Sequence, residues 1–246
     1  MKLSFMSRIY SGVARYTARH LGQDLDYALQ VRARDKSAEY VSRIMPDAKR
    51  FNNRDSLLFY AAEKAREVDG CVCEFGVFSG YTLNLLADAL PEKKVFGFDS
   101  FEGLPADWRP GFGKGTFKTK VPVFDKKNII LKVGWFEDTV SAFSADLRKI
   151  GEKISLLHID CDLYSSTKCV FDELLDLCSP NAIIVFDEYF NYPGWEMHEH
   201  KALMEAVERG ALVSYVAFNS KGEQVLCELG PRGAIVDAAF AEEVLQ

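Results

Sequence analysis

The chain of 246 residues carries 30 basic and 36 acidic side chains, a formal net charge of −6, and 48% of its residues are hydrophobic. This is the composition of a globular protein long enough for one large α/β domain. No apolar run approaches the roughly 20 residues of a membrane-spanning helix, so we expect no integral membrane span. The acidic balance argues against a nucleic-acid binder, because binding to phosphates needs clustered Lys and Arg.

The six cysteines include no Cys-x-x-Cys pair, and no signal-peptide pattern precedes them. We therefore expect neither a zinc site nor a redox pair. Scattered thiols of this kind indicate a reducing compartment, and the predicted location is cytoplasmic.

The first 23 residues combine basic side chains with apolar residues at helical spacing and contain no acid. This pattern predicts a basic amphipathic helix. One interpretation is contact with a membrane surface, or a targeting segment. The other, which we favour, is a helix that covers its own domain or a sister subunit of a homo-oligomer. We divide the chain into a helical extension (1–46), a main domain (47–230) and a C-terminal tail (231–246).

Short apolar runs alternate with longer helical patterns from about position 47 onward. Asn53 and Asp55 are candidate caps of a first helix. Helices are further predicted over 79–90, 137–149, 165–178 and 196–209, and strands over 71–75, 94–98, 129–133, 154–159 and 182–186. Two last segments, 211–218 and 223–229, read as a β-hairpin. The prediction is an α/β, doubly wound, Rossmann-like fold: five parallel strands with helices on both faces, then an antiparallel edge formed by a C-terminal hairpin.

Ligands of such sheets bind at the carboxyl ends of the strands. The first strand ends at Glu74, and Gly76 and Gly80 follow within a tight turn that lets a ligand approach the backbone. A carboxylate at Glu74 would repel the phosphates of a dinucleotide and attract an ammonium group.

The second strand ends at Asp99, where an acid can accept hydrogen bonds from ribose hydroxyls. Glu74 and Asp99 together indicate S-adenosylmethionine, a cationic nucleoside without phosphates. The alternative for Asp99 is a loop acid that caps Phe101 or Glu102. After the third strand, residues 134–136 could enclose an adenine ring or simply belong to the core.

Four carboxylates follow the fourth and fifth strands: Asp160, Asp162, Asp187 and Glu188. Like charges this close are unfavourable unless a cation or a proton compensates them. Oxygen ligands favour Mg²⁺, with Mn²⁺ or Ca²⁺ as alternatives. Three of the acids could hold the ion while the fourth acts as a base. The alternative is that these acids cap helices or form ion pairs at the surface. A metal that lowers the pKa of an acceptor hydroxyl, beside a carboxylate that takes its proton, suits methyl transfer to oxygen.

Four strings of residues together resemble the macrocin O-methyltransferase family: EFGVFSG (74–80), DSFEGLP (99–105), GWFEDT (134–139) and DCDLY (160–164) followed by Ser166-Thr167. The resemblance covers roughly positions 50–229. It implies a class I, S-adenosylmethionine-dependent, Mg²⁺-dependent (or Mn²⁺-dependent) O-methyltransferase acting on a hydroxyl of a sugar or a glycosylated small molecule.

By that family's pattern, Asp160, Asp187 and Glu188 bind the metal and Asp162 is the general base. The cofactor contacts expected from these motifs are Glu74, Gly76, Val77, Gly80, Asp99, Ser100, Phe101, Gly134, Trp135, Phe136 and Asp160.

Departures from the family's pattern leave the acceptor open. Glu188 stands where family members commonly carry Asp, and Ser79, Tyr81, Cys161 and Ser165 replace other residues of the motifs. A catechol-like phenol is an alternative acceptor, since adjacent aromatic hydroxyls also chelate a metal. A nicotinamide-dependent oxidoreductase and a non-catalytic module are further alternatives, opposed by Glu74 and by the four strand-end acids respectively. The glycine-, lysine- and aromatic-rich segment 106–127 is either a lid over the acceptor or a disordered insertion.

Overall fold

The structure, a computed structural model, describes residues 22–230. The predicted basic helix lies outside the described residues except for its last two positions, and so does the tail 231–246. Within residues 22–230, no helix combines the length and the apolar character needed to cross a membrane.

Eight strands of the described chain form one sheet: β1 (Lys49–Phe51), β2 (Cys71–Phe75), β3 (Val95–Asp99), β4 (Ile129–Val133), β5 (Ile154–Ile159), β6 (Cys178–Phe186), β7 (Val213–Asn219) and β8 (Val225–Leu229). Their order across the sheet is β1-β7-β8-β6-β5-β2-β3-β4. Strand β8 pairs antiparallel with both of its neighbours, and the other pairings are parallel. The predicted, mostly parallel Rossmann-like sheet with a C-terminal hairpin is confirmed.

Helices cover both faces of this sheet: α1 (Leu25–Ile44), α2 (Arg54–Arg66), α3 (Tyr81–Ala89), α4 (Phe136–Ile150), α5 (Tyr164–Leu174) and α6 (Glu199–Glu208). Helices α2 and α3 pack together on one face, and α4, α5 and α6 on the other. Alternate residues of β2 serve the two faces. Cys71, Cys73 and Phe75 join the core under α4–α6, and Val72 joins the core under α2 and α3.

The predicted hairpin is not the edge of the sheet. Strand β1 pairs in parallel with β7 outside it, and three residues are too few to show the alternation that predicts a strand. Helix α5 is shorter than predicted because a 3₁₀ turn (Leu175–Leu177) follows it, and β6 then begins at Cys178, earlier than expected.

The chain reverses direction across the sheet between β2 and β5. From β2 it proceeds through β3 to β4 at one edge, whereas β5 and β6 lie on the other side of β2. The crevice outside the carboxyl ends of β2 and β5 is thus a topological switch point, the usual ligand position in this type of sheet.

Replacement of Phe98 by Ala is expected to lower the free energy of unfolding by about 3–5 kcal/mol, because it leaves a cavity in a well-packed core. The Phe98 ring is fully buried, stacked on Phe75 at 4.8 Å and in edge contact with Phe143 at 5.1 Å. Denaturant unfolding followed by circular dichroism measures the effect. The matched control is Phe59→Ala on the outer side of α2, where the ring is 48% exposed and a loss below about 1 kcal/mol is expected. Equal losses at the two positions would contradict this account of the core.

Candidate active site

A cavity of about 280 Å³ opens at the carboxyl ends of β2, β3, β5 and β6. Ten of the residues predicted from the sequence line it: Gly76, Asp99, Ser100, Gly134, Trp135, Phe136, Asp160, Asp162, Asp187 and Glu188. Four predicted cofactor contacts lie outside its lining: Glu74, Val77, Gly80 and Phe101. The two halves of the predicted site therefore share one cavity.

The glycine turn after β2 is packed directly against the end of β5. Gly76 has φ +96°, and a Cβ on it would lie 1.7 Å from the carbonyl oxygen of Asp160. Gly80 has φ +81° and faces the ring of Phe124, which a Cβ would meet at 2.5 Å. Gly76 thus lets the turn approach the Asp160 carbonyl closely at the floor of the cavity. Gly80 allows the segment 106–127, which contains Phe124, to pack on the start of α3.

Asp99 fixes the same turn from the side of β3. The backbone N–H groups of Val77 and Phe78 donate to Asp99 Oδ2 at 2.9 and 2.8 Å, and the N–H of Phe101 donates to Oδ1 at 2.7 Å. The predicted alternative, capping of Phe101, is therefore present, whereas the N–H of Glu102 donates to Ser100 Oγ instead. A carboxylate has about four acceptor positions, so Asp99 retains room for a ligand hydroxyl beside these three bonds.

Val77 and Phe101 contribute backbone N–H groups to the turn, and their side chains belong to the core at 3% and 4% exposure. The sequence assigned them to the cofactor because they stand in the motifs. Their place in the structure is one layer behind the cavity wall.

Glu74 is completely buried and is paired with His158. His158 Nδ1 lies 2.8 Å from Glu74 Oε2, and its Nε2 lies 3.7 Å from Asp187 Oδ1. Burial opposes the charge on His158, yet the carboxylates of Asp187 and Glu74 raise its pKa to about 9. Glu74 Oε1 is buried and has no hydrogen-bond partner among the described residues.

The acid cluster, defined as Asp160, Asp162, Asp187 and Glu188, surrounds a guanidinium that the sequence did not draw attention to. Arg54 is the first residue of α2. Its Nη2 donates to Asp160 Oδ2, and its Nε lies 2.7 Å from Asp187 Oδ1. Arg54 therefore bridges the ends of the adjacent strands β5 and β6.

Burial and mutual repulsion govern the protonation of these acids. Burial and the Asp187 carboxylate raise the pKa of Asp160 to about 8, against the opposing effect of Arg54. Burial, with the neighbouring aspartates, also raises the pKa of Glu188 well above its usual range. For Asp187 the effect of burial is outweighed by His158 and Arg54, and its pKa is lowered. Asp187 is thus the member of the cluster that is held as an anion.

Asp162 has a different environment from the other three acids. It occupies the left-handed region at φ +63°, is 7% exposed, and accepts no hydrogen bond from a described residue. Burial raises its pKa to about 7, although Arg109 opposes the shift. A carboxylate that faces the cavity with its oxygens unoccupied is suited to accept a proton from a ligand.

The predicted divalent ion can be tested against this arrangement. The oxygen-rich donor set suits Mg²⁺, and single ligand atoms of His158, Asp160 and Asp187 lie within 4.8 Å of one another. However, the guanidinium of Arg54 is already bound to both aspartates. A dication could reach these oxygens only if Arg54 moved away, so the residues as arranged do not fit the ion. The metal site at Asp160, Asp187 and Glu188 stays a prediction.

The segment 106–127 packs over the cavity, and Trp108, Arg109, Phe112 and Phe117 line it. Arg109 Nη1 lies 3.0 and 3.2 Å from the two carboxylate oxygens of Glu223, in the loop between β7 and β8. Its guanidinium also stacks over the Trp108 ring at 4.0 Å. The segment is therefore tied to the far side of the cavity, as expected of a cover over a ligand.

Comparison with known proteins agrees with this fold. Residues 73–189 match a family model described as a methyltransferase domain. The chain is similar to the calicheamicin methyltransferase CalS11, at 20% identity and a TM-score of 0.60 over 85% of this chain and 95% of that chain. A structure of apo CalS11, described as a TDP-rhamnose 3'-O-methyltransferase, gives 20% identity and a TM-score of 0.54 over 78% and 87% of the two chains. The O-methyltransferase NovP is 18% identical to this chain and gives a TM-score of 0.52, over 72% of this chain and 80% of that chain. No curated protein matches the chain.

The solved structures confirm the predicted fold, and the match of residues 73–189 to a methyltransferase domain agrees with the predicted enzyme class. They do not show that the chain belongs to the macrocin O-methyltransferase family. Trp108 and Arg109 belong to the segment 106–127 that the sequence offered as a lid, whereas Arg54 and Glu223 were not predicted as functional candidates.

We expect Gly76→Ala to lower the free energy of unfolding by at least about 3 kcal/mol, because the new Cβ adds a backbone clash to the strain of a left-handed residue. Gly111→Ala is the matched control, since Gly111 has a similar φ of +88° and no heavy atom within 4 Å of its Cβ position. Its strain alone should cost about 1–2 kcal/mol. Denaturant unfolding of both variants compares the two, and similar losses would show that the contact between Gly76 and Asp160 is not tight.

Proposed function

We propose that this chain is an S-adenosylmethionine-dependent O-methyltransferase that methylates a hydroxyl of a sugar or of a glycosylated small molecule. The observation that carries the proposal is the single cavity, which brings the Asp99-anchored glycine turn and the unpaired Asp162 carboxylate to the same space. One end is suited to a nucleoside and the other to a proton transfer.

Two features of the cavity wall favour this cofactor. Asp99 holds the glycine turn through three backbone N–H groups and keeps an acceptor position for a ribose hydroxyl. Glu74, the predicted contact of the ammonium group, is buried outside the cavity lining, so its role in binding stays a prediction. Trp135, 40% exposed at the cavity wall, offers an aromatic face for adenine.

When bound, the sulfonium of S-adenosylmethionine supplies the methyl group, whose bond to the acceptor oxygen forms as its bond to sulfur breaks, leaving S-adenosylhomocysteine. Asp162 receives the proton of the acceptor hydroxyl. Residues at rigid strand ends hold donor and acceptor in line, and alignment of this kind supplies a large part of the rate. The reaction needs no covalent bond to the protein.

The acceptor class is supported by two observations. CalS11 is described as acting on TDP-rhamnose, which is a sugar nucleotide. In this chain, the aromatic rings of Trp108, Phe112 and Phe117 line the acceptor side of the cavity, and such faces suit the C–H surfaces of a sugar. Membership of the macrocin O-methyltransferase family, a bound Mg²⁺ or Mn²⁺, a cytoplasmic location and homo-oligomers remain predictions.

The test is incubation of the full chain with S-adenosylmethionine and separate acceptors: free sugars, nucleotide sugars, glycosylated macrolides and a catechol. Mass spectrometry detects a product that has gained one methyl group, with S-adenosylhomocysteine in equal amount. Methylated sugar is the expected result. Methylation of the catechol alone would overturn the acceptor class, and failure to bind S-adenosylmethionine in calorimetry would overturn the proposal.

Asp162→Asn is expected to lower kcat by roughly 10²- to 10⁴-fold, because the amide cannot accept the proton of the acceptor. The dissociation constant of S-adenosylhomocysteine, measured by calorimetry, should stay within about twofold of the wild-type value, since Asp162 makes no hydrogen bond to the glycine turn. Asp138→Asn, an exposed acid of α4, is the control and should leave both quantities unchanged. A wild-type kcat in Asp162→Asn would assign the base to another group.

Asp99→Ala is expected to weaken S-adenosylhomocysteine binding by at least about tenfold, because it removes the acceptor for a ribose hydroxyl and leaves three backbone N–H groups of the turn unpaired. Calorimetry measures the change. The exposed Asp146→Ala serves as the control. An unchanged dissociation constant in Asp99→Ala would contradict the placement of the nucleoside at this turn.

A further inference from the structure

We propose that Arg54 is the resident cation of the acid cluster and occupies the place in which a divalent ion was expected. The inference concerns the site of the proposed function, and its main test is a binding measurement that needs no turnover. It assigns to a side chain of α2 the charge compensation that the strand-end acids require.

The contacts of Arg54 span the two strand ends that would have to supply metal ligands. Asp160 directly follows β5 and Asp187 directly follows β6, and these strands are paired neighbours. The guanidinium donates a hydrogen bond to Asp160 through Nη2 and forms an ion pair with Asp187, whose Oδ1 lies 2.7 Å from Nε. Arginine's planar fork is suited to hold two carboxylates at once.

Both oxygens of Asp187 are engaged from different sides. Arg54 Nε is 2.7 Å from Oδ1, His158 Nε2 is 3.7 Å from the same oxygen, and Gln224 Nε2 is 3.4 Å from Oδ2. Glu74 holds His158 from behind at 2.8 Å. Among the described side chains, Gln224 alone donates a hydrogen bond to this carboxylate, while Arg54 and His158 approach Oδ1 as ion-pair partners without donating to it. The positive charge of Arg54 at 2.7 Å from Oδ1 therefore opposes a dication at the same oxygen.

The position of Arg54 on its helix also needs this explanation. A basic residue in the first turn opposes the helix dipole, which favours acids there. The helix does not need Arg54 as a cap, because Asn53 Oδ1 already accepts the N–H of Ser56 at 2.8 Å. The energetic reason for a cation at this point is thus found outside the helix, in Asp160 and Asp187.

One end of the guanidinium remains available to a ligand. Arg54 lines the cavity, and its Nη1 makes no hydrogen bond to a described residue. Guanidinium stays protonated throughout the physiological range and donates hydrogen bonds from all of its nitrogens. Arg54 would therefore orient Asp160 and offer N–H groups to the acceptor oxygen while Asp162 takes its proton.

The experiment titrates the purified full chain with Mn²⁺ and measures free Mn²⁺ by electron paramagnetic resonance. Wild-type protein is expected to bind no stoichiometric Mn²⁺. Arg54→Met removes the charge and keeps an unbranched apolar stem, so it should gain one site with at least ~10-fold tighter Mn²⁺ binding than wild type, as bare carboxylates attract a dication. The double variant Arg54→Met/Asp187→Asn should lose that site again.

Arg66→Met, at the other end of the same helix and bonded to the Ala89 carbonyl oxygen, is the matched control and should behave as wild type. If Arg54→Met does not fold by circular dichroism, Arg54→Gln takes its place. Stoichiometric Mn²⁺ binding by the wild type that Asp187→Asn abolishes would overturn the inference. So would the absence of any gain in a folded Arg54 variant.

A chelator supplies a second, independent arm. Turnover of the wild type is expected to be unchanged by EDTA and not raised by added Mg²⁺, whereas loss of turnover in EDTA, restored by Mg²⁺, would overturn the inference. If no acceptor is methylated at all, the proposed function fails, but the Mn²⁺ titration still decides whether Arg54 is the resident cation.

Discussion

The active-site edge of this protein depends on how carboxylates at the ends of neighbouring strands are compensated. A parallel sheet directs all of its strand ends to one side, and here β5 and β6 bring acids into a largely buried space. Arg54 forms ion pairs with Asp187 and Asp160, His158 lies behind Asp187, and burial raises the pKa of Asp160 and Glu188. Within this arrangement Asp162 is left without a fixed partner among the described residues, so the charge balance also selects the group that is free to exchange a proton.

The nucleoside end of the cavity also depends on an acid at a strand end, but there the acid binds backbone N–H groups. Asp99 at the end of β3 accepts the N–H groups of Val77 and Phe78, so the turn after β2 is shaped by a carboxylate on the neighbouring strand. Gly76 brings that turn against the carbonyl of Asp160. The two ends of the cavity are therefore in direct backbone contact.

Much of this organisation could be predicted from the sequence, and the failures have physical causes. Buried parallel strands and the acids that follow them are local patterns, and the switch point brings them together. Arg54 could not be found in this way, since its partners lie more than one hundred positions away along the chain. A signal did exist: a basic residue at the start of a helix opposes the dipole, and such a position needs an anion in space. Glu74 was placed at the correct strand end, but its pairing with His158 depends on the register between β2 and β5.

The attachment of the covering segment determines how the cavity exchanges its contents with water. Arg109 joins this segment to Glu223, with both side chains only partly exposed, and its guanidinium lies between aromatic rings. Opening must separate this ion pair and uncover those rings, so the movement has an electrostatic and a hydrophobic component. Any dissolved salt screens the first component, whereas kosmotropic salts such as sulfate strengthen the second and guanidinium salts weaken it. The rate of product release would consequently depend on the kind of salt present as well as on its concentration.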